Sequence, residues 1–127
     1  MTLPITSIVA ALFALVLIPL SMRVGIERYR NKIWLLDGGH KELTRRIRVH
    51  GNFIEYVPFS LLMIALVELG GGSSMLVWGL GAGLIVSRLL HAIGLSLSET
   101  SLARGLGANG TFLVLAVSAV WLLYHSV

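Results

Sequence analysis

The chain has 127 residues, of which 56% are hydrophobic and 13% charged, a balance too apolar for a water-soluble single domain. Its net charge of +4 would suit a nucleic-acid binder, but eight of the ten Lys and Arg residues fall between Arg23 and Arg48, beside long apolar runs; membrane topology accounts for them and nucleic acid is excluded as a partner. With no cysteine, there is no disulfide, thiol nucleophile or thiolate ligand.

Crossing about 30 Å of hydrocarbon takes roughly 20 helical residues. Leu3–Met22 is the first segment of that length. It has no basic leader, its apolar run is longer than a signal peptide needs, and no small-x-small site precedes Arg23, so it is expected to stay as a span. A basic segment follows from Arg23 to Arg46. Within it Asp37-Gly38-Gly39 suits a turn or helix start, and Lys41, Glu42, Arg45 and Arg46 would form two charged turns ahead of a second span, Ile47–Leu69. A Gly-rich turn, Gly70 to Ser74, leads to a third span, Met75–Leu95. A polar stretch from Ser96 to Arg104 leads to a fourth, Leu106–Tyr124. The expected fold is all-α: one integral-membrane four-helix bundle. The contrast between the first loop and the uncharged Gly-rich turn places both basic connections in the cytoplasm and both termini outside it.

Gly105, Gly107 and Gly110 spell G-x-G-x-x-G, but no strand precedes them and a membrane helix follows, so the pattern lacks the context of a dinucleotide loop. Gly79 and Gly83, with Gly81, are expected to let helices pack closely. Trp78, Trp121 and Tyr124 suit an interfacial aromatic belt. Glu68 and His125 are expected to be solvated near the outer surface.

Charged groups inside spans are costly and usually paired or functional. Arg48, Asn52 and Glu55 stand at i, i+4 and i+7, within about 60° on one helical face. Tyr56 borders that face, and Pro58 frees the carbonyl of Ile54. On the third span Arg88 and His91 share a face; Arg23 would end the first helix and Arg104 precede the fourth. A carboxylate, an amide and several guanidiniums suit a small flexible solute bearing carboxylates and an amine. A purely structural role is the alternative: Glu55 neutralising Arg88 or Arg48, with Asn52 bonding across helices. His50 lies about 140° from Glu55 around the helix and no H-E-x-x-H motif is present, so no metal is expected.

The stretch RVHGNFIEYVPF, Arg48 to Phe59, resembles the second-helix signature of the membrane-associated proteins in eicosanoid and glutathione metabolism, the MAPEG family. Arg48, Asn52, Glu55 and Pro58 match it in order and spacing, and the preceding DGGHKELTRRIRVHGN resembles bacterial members. The resemblance implies a homotrimer of four-helix subunits in a bacterial inner membrane, binding glutathione between neighbours. Arg48, Asn52, Glu55, Tyr56, Arg88 and His91 would line the peptide's site from one subunit and Arg23 from the next. Arg104 resembles an arginine that stabilises the glutathione thiolate. The implied activity is that of a microsomal-type glutathione transferase or peroxidase, acting on a lipophilic small molecule that arrives from the membrane lipid. Three positions depart from the eicosanoid synthases: Leu95 stands where a tyrosine is found, Gly51 replaces an arginine, and Gly105 replaces a serine. A non-catalytic lipid-binding scaffold of the same fold is therefore a second expectation. A small proton-coupled exporter is a remote third, because Leu3–Met22 lacks a carboxylate.

Overall fold

The computed structural model describes residues 2–97 and 101–125. Among them are four α-helices, α1 Pro4–Asn31, α2 Lys41–Leu69, α3 Ser74–Leu97 and α4 Leu102–His125, each long and apolar enough to cross a membrane. α2 and α3 form the inner pair and touch one another; α1 and α4 each pack on both and, among the described residues, do not meet. Val9, Phe13, Phe53, Ile64, Leu84 and Val114 belong to the shared core, where Phe13 and Phe53 meet edge to face at 5.7 Å. Leu15, Leu113 and Leu123 instead point outward, as lipid as solvent permits.

Two helix boundaries differ from the expected ones. α1 continues past Met22 to Asn31, so Arg23 lies inside the helix and does not end it. Bilayer thickness limits an apolar run, but a helix extends as long as its polar face finds partners. Here Glu27 is buried and pairs with Arg46 of α2 at 3.0 Å, while Arg46 also holds Glu42 at 2.9 Å. The extension ends in a Schellman closure: the Lys32 and Ile33 amides donate to the Tyr29 and Arg28 carbonyls, with Lys32 at φ 54°. α4 begins earlier than expected because Ser101 caps it, its Oγ accepting from the Arg104 amide at 3.2 Å. Arg104 consequently sits in the first turn of α4 and does not precede it.

Asp37 shapes the turn before α2. Its carboxylate accepts from the Gly39 amide at 3.1 Å and the Thr44 hydroxyl at 2.8 Å, and the backbone bends through positive φ at Gly38 and Gly39. The Gly39 amide, then the Thr44 hydroxyl, hold this carboxyl below its ordinary 3.8. His40 caps α2.

Glu68 is not simply solvated. Its carboxylate accepts from the amides of Ile5 and Thr6 at 2.9 and 2.8 Å and from the Thr6 hydroxyl at 2.5 Å. It thereby caps α1, whose own N-cap position, Leu3, offers no side-chain acceptor. His125, exposed as expected, stacks on Trp121 at 4.0 Å.

The close helix approach is also displaced from its expected place. No atom lies within 4 Å of where a Cβ would stand on Gly79, and Gly83 makes only ordinary contact. Gly81 does touch α1, at Val9. The tight crossing is of α3 with α4: a Cβ on Gly107 would stand 2.5 Å from the His91 amide and the Ser87 carbonyl, and one on Gly110 would strike the Ser87 hydroxyl. Two glycines of the G-x-G-x-x-G pattern thus serve packing.

Candidate functional site

α3 is drawn against α4 by Gly107, and that approach creates a polar centre within the bundle. Arg88 is 5% exposed. Its Nη1 donates to Asn52 Oδ1 of α2 at 2.7 Å and its Nη2 to the Gly107 carbonyl of α4 at 3.3 Å. The guanidinium lies 5.6 Å from the centroid of the Tyr56 ring, which is steadied edge to face by Phe112 at 5.7 Å. Arg88 Nε is buried without a partner, so the centre has one donor to spare. His91 follows three residues later on α3, also buried. Asn52, Tyr56 and Arg88 are thus brought together from two helices, and α4 supplies a backbone acceptor that no side-chain pattern announces.

Arg48 and Glu55 leave this centre. Both are exposed on α2, and among the described residues neither makes an ion pair or a side-chain hydrogen bond. The pairing of Glu55 with Arg88 or Arg48, required by the structural alternative, is not made within the chain. Asn52 does bond across helices, to Arg88. The face read as continuous therefore divides: Asn52 turns inward, while Arg48 and Glu55 point out of the bundle.

Arg48 joins Arg104 in an open cleft of about 300 Å³ between the starts of α2 and α4, which Lys41, Thr44, Arg45 and Leu95 also line. Arg104 is half-buried there. Arg23 lies elsewhere, beside a small cavity of about 70 Å³ at the α1–α2 contact with Glu42, Arg45 and Arg46. Its backbone carbonyl accepts from Arg46 at 3.2 Å. Lys41 and Arg45 were readable only as part of a charged helix start, and Thr44 carried no signal, since their convergence with Arg104 depends on how α4 packs.

Chemically, the arrangement offers guanidiniums for carboxylates, one exposed carboxylate for an ammonium, and a cation at the cleft mouth. Glu42 and Glu27 are committed to Arg46, and Glu68 to the start of α1. That leaves Glu55 as the uncommitted acid among the described residues of the spans.

The family model of the MAPEG family matches residues 6–124. The chain is 33% identical over 90 residues to inner membrane protein YecN of Escherichia coli strain K12, covering 71% of this chain and 69% of that protein. The YecN of a second Escherichia coli strain, CFT073, matches to the same extent.

Proposed function

The chain belongs to the MAPEG family, and we propose that it binds glutathione between the subunits of a homotrimer and transfers it to, or uses it to reduce, a lipophilic electrophile from the bilayer. The observation that carries this reading is the exposed, unpaired Glu55 with Arg48 on a membrane-spanning helix. An ionised carboxylate is costly against lipid, so a neighbouring subunit and a charged ligand are the natural cover. The spare donor of Arg88 supports the same reading, because a buried polar centre is stable only when completed.

In this reading Arg48, Asn52, Tyr56, Arg88 and His91 hold the peptide's carboxylates and amides, Glu55 takes its ammonium, and Arg23 comes from the neighbour. Arg104 faces the sulfur. A free thiol has a pKa of about 8.5, and an adjacent cation favours the thiolate. The thiol proton leaves to solvent and the sulfur lone pair forms a bond to the electrophilic carbon as the leaving group departs with its electron pair. The inner membrane is the proposed location, as for the Escherichia coli relative, with the basic end cytoplasmic and both termini outside.

Two substitutions test binding and chemistry apart. Glu55→Gln removes a charge-assisted acceptor worth about 1.5–3 kcal/mol, so equilibrium affinity for glutathione should fall roughly ten- to a hundredfold. Arg104→Leu should retain much of that affinity, lower turnover at neutral pH, and recover part of it as pH rises and thiolate forms unaided. Wild-type affinity in an intact Glu55→Gln protein would refute the binding site. Full activity of Arg104→Leu across the pH range would move the thiolate role to another cation.

One observation favours a non-catalytic scaffold instead: Leu95 presents an apolar side chain to the cleft where the synthases of the family carry a phenol.

A further inference from the structure

The basic cleft holds more positive charge than a tripeptide requires. Lys41, Thr44, Arg45 and Arg48 stand at i, i+3, i+4 and i+7, so one face of the first two turns of α2 lines it, with Arg104 opposite. Among the described residues, no carboxylate lines it. Of the described acids nearby, Glu42 holds Arg46 at 2.9 Å and reaches Arg45 only at 3.5 Å, and Asp37 is occupied by Gly39 and Thr44. Lys41 and Arg45 take no part in the glutathione site proposed above. The partial positive charge at the starts of α2 and α4 adds to the same field.

Depth identifies the kind of anion. The charged first two turns of α2 end at Arg48, and its apolar part follows from Val49. At 1.5 Å per residue, Arg48 and Arg45 stand about 2 and 6 Å beyond it, and Lys41 about 12 Å. The headgroup layer of a leaflet is roughly 5–8 Å thick, so the two arginines lie within it and the long Lys41 stem can reach back to it. Leu95, itself buried, gives the cleft one apolar wall.

We propose that this cleft is a binding site for the phosphate of an anionic phospholipid, with Lys41 and Arg45 as its specific contacts. Guanidinium forks match phosphate oxygens in pairs, the Lys41 ammonium adds a point charge, and the acyl chains run from the cleft into the bilayer. Basic pockets between spans at a cytoplasmic face are the recurrent form of such sites. The proposal goes beyond the glutathione reading and does not depend on it.

The test compares the wild-type protein with the Lys41→Gln/Arg45→Gln double variant. Both are reconstituted in nanodiscs of phosphatidylcholine with or without phosphatidylglycerol. Lipid retained per chain is counted by native mass spectrometry, and thermal midpoints are measured with each lipid and with inorganic phosphate. Phosphatidylglycerol should be retained by the wild type and raise its midpoint, an effect that weakens with salt, while phosphatidylcholine does neither. The double variant should bind phosphatidylglycerol roughly thirtyfold more weakly, from about 1 kcal/mol per basic residue at 1.4 kcal/mol per decade. A charge-conserving Lys41→Arg/Arg45→Lys protein should bind nearly as the wild type does, which guards against misfolding of the double variant. Equal retention by wild type and double variant would overturn the site, as would equal effects of the two lipids or full stabilisation by inorganic phosphate alone. Glutathione binding measured on the same samples should be unchanged in the double variant; its loss together with lipid binding would assign the cleft to the peptide and sink the proposal. Failure of the wild type to bind glutathione while retaining phosphatidylglycerol would refute the glutathione reading and leave this one standing.

Discussion

Arg88 concentrates the physical problem at the scale of single residues. A guanidinium 5% exposed inside a membrane bundle needs donors satisfied and charge delocalised, and it meets an amide, a carbonyl and a ring face but no carboxylate among the described residues. Asn52 is the most replaceable of these partners. Asn52→Leu should cost roughly 1–3 kcal/mol, because Nη1 is left buried without an acceptor, and denaturant titration in mixed micelles would measure it. A cost near zero would mean that water fills the gap. Outside the spans, Asp37 is the acid with a consequence in pH. Its carboxyl is held below 3.8 by the Gly39 amide and the Thr44 hydroxyl. A lowered folded value means that its contribution to order in the turn is fully present above the ordinary value and is lost as pH falls through the lowered one. Protection of the Gly39 amide against hydrogen exchange, corrected for intrinsic rate, should therefore decline as pH falls below the ordinary 3.8. In Asp37→Asn it should be lower and flat.

Elements show how far the sequence could be read. Existence and order of the four helices follow from apolar length, and that part was legible. Two of their ends were not, the close of α1 and the start of α4, because Glu27 and Ser101 act on partners that the pattern does not name: an arginine on the next helix and an amide of the following turn; the capping of α1 by Glu68, 62 residues away, was hidden likewise. The division of the second-helix polar face was hidden for the same reason. Spacing puts Arg48, Asn52 and Glu55 on one stripe, but only the placement of Arg88 decides that Asn52 turns inward. Glycine spacing misdirects in the same way, since Gly79 and Gly83 have the familiar interval while Gly107 and Gly110 have the contact. Gly107→Ala should therefore push α4 from α3 and cost about 1–3 kcal/mol, with Gly79→Ala nearly neutral. Thermal unfolding in detergent would separate the two, and comparable losses would show that Gly79 meets a second subunit.

For the whole molecule the decisive feature is that the proposed ligands do not converge within one chain. Arg48 and Arg104 share a cleft, Asn52 and Arg88 share a buried centre, Glu55 faces outward, and Arg23 sits at the α1–α2 contact. A ring of three subunits can unite them, because a cyclic trimer joins two different surfaces at each interface. If each site takes Glu55 from one subunit and Arg23 from the next, two defective variants should complement. Co-expressed in equal amounts, Glu55→Gln and Arg23→Leu chains assemble at random. A site is intact only where an Arg23→Leu subunit supplies Glu55 and a Glu55→Gln subunit supplies Arg23. Since each interface draws its two members independently, about one quarter of the sites in the mixed population should be whole. Tight glutathione binding, measured by calorimetry on the purified mixture, should then return to about a quarter of wild-type capacity with wild-type affinity, although neither variant alone binds tightly. Mixing the two proteins after separate purification, without subunit exchange, should restore nothing. If each site were built within one subunit, every chain of the mixture would lack one ligand, and co-expression would restore nothing either. That result, obtained with trimers verified by native mass spectrometry, would rule out the shared site while leaving the fold untouched.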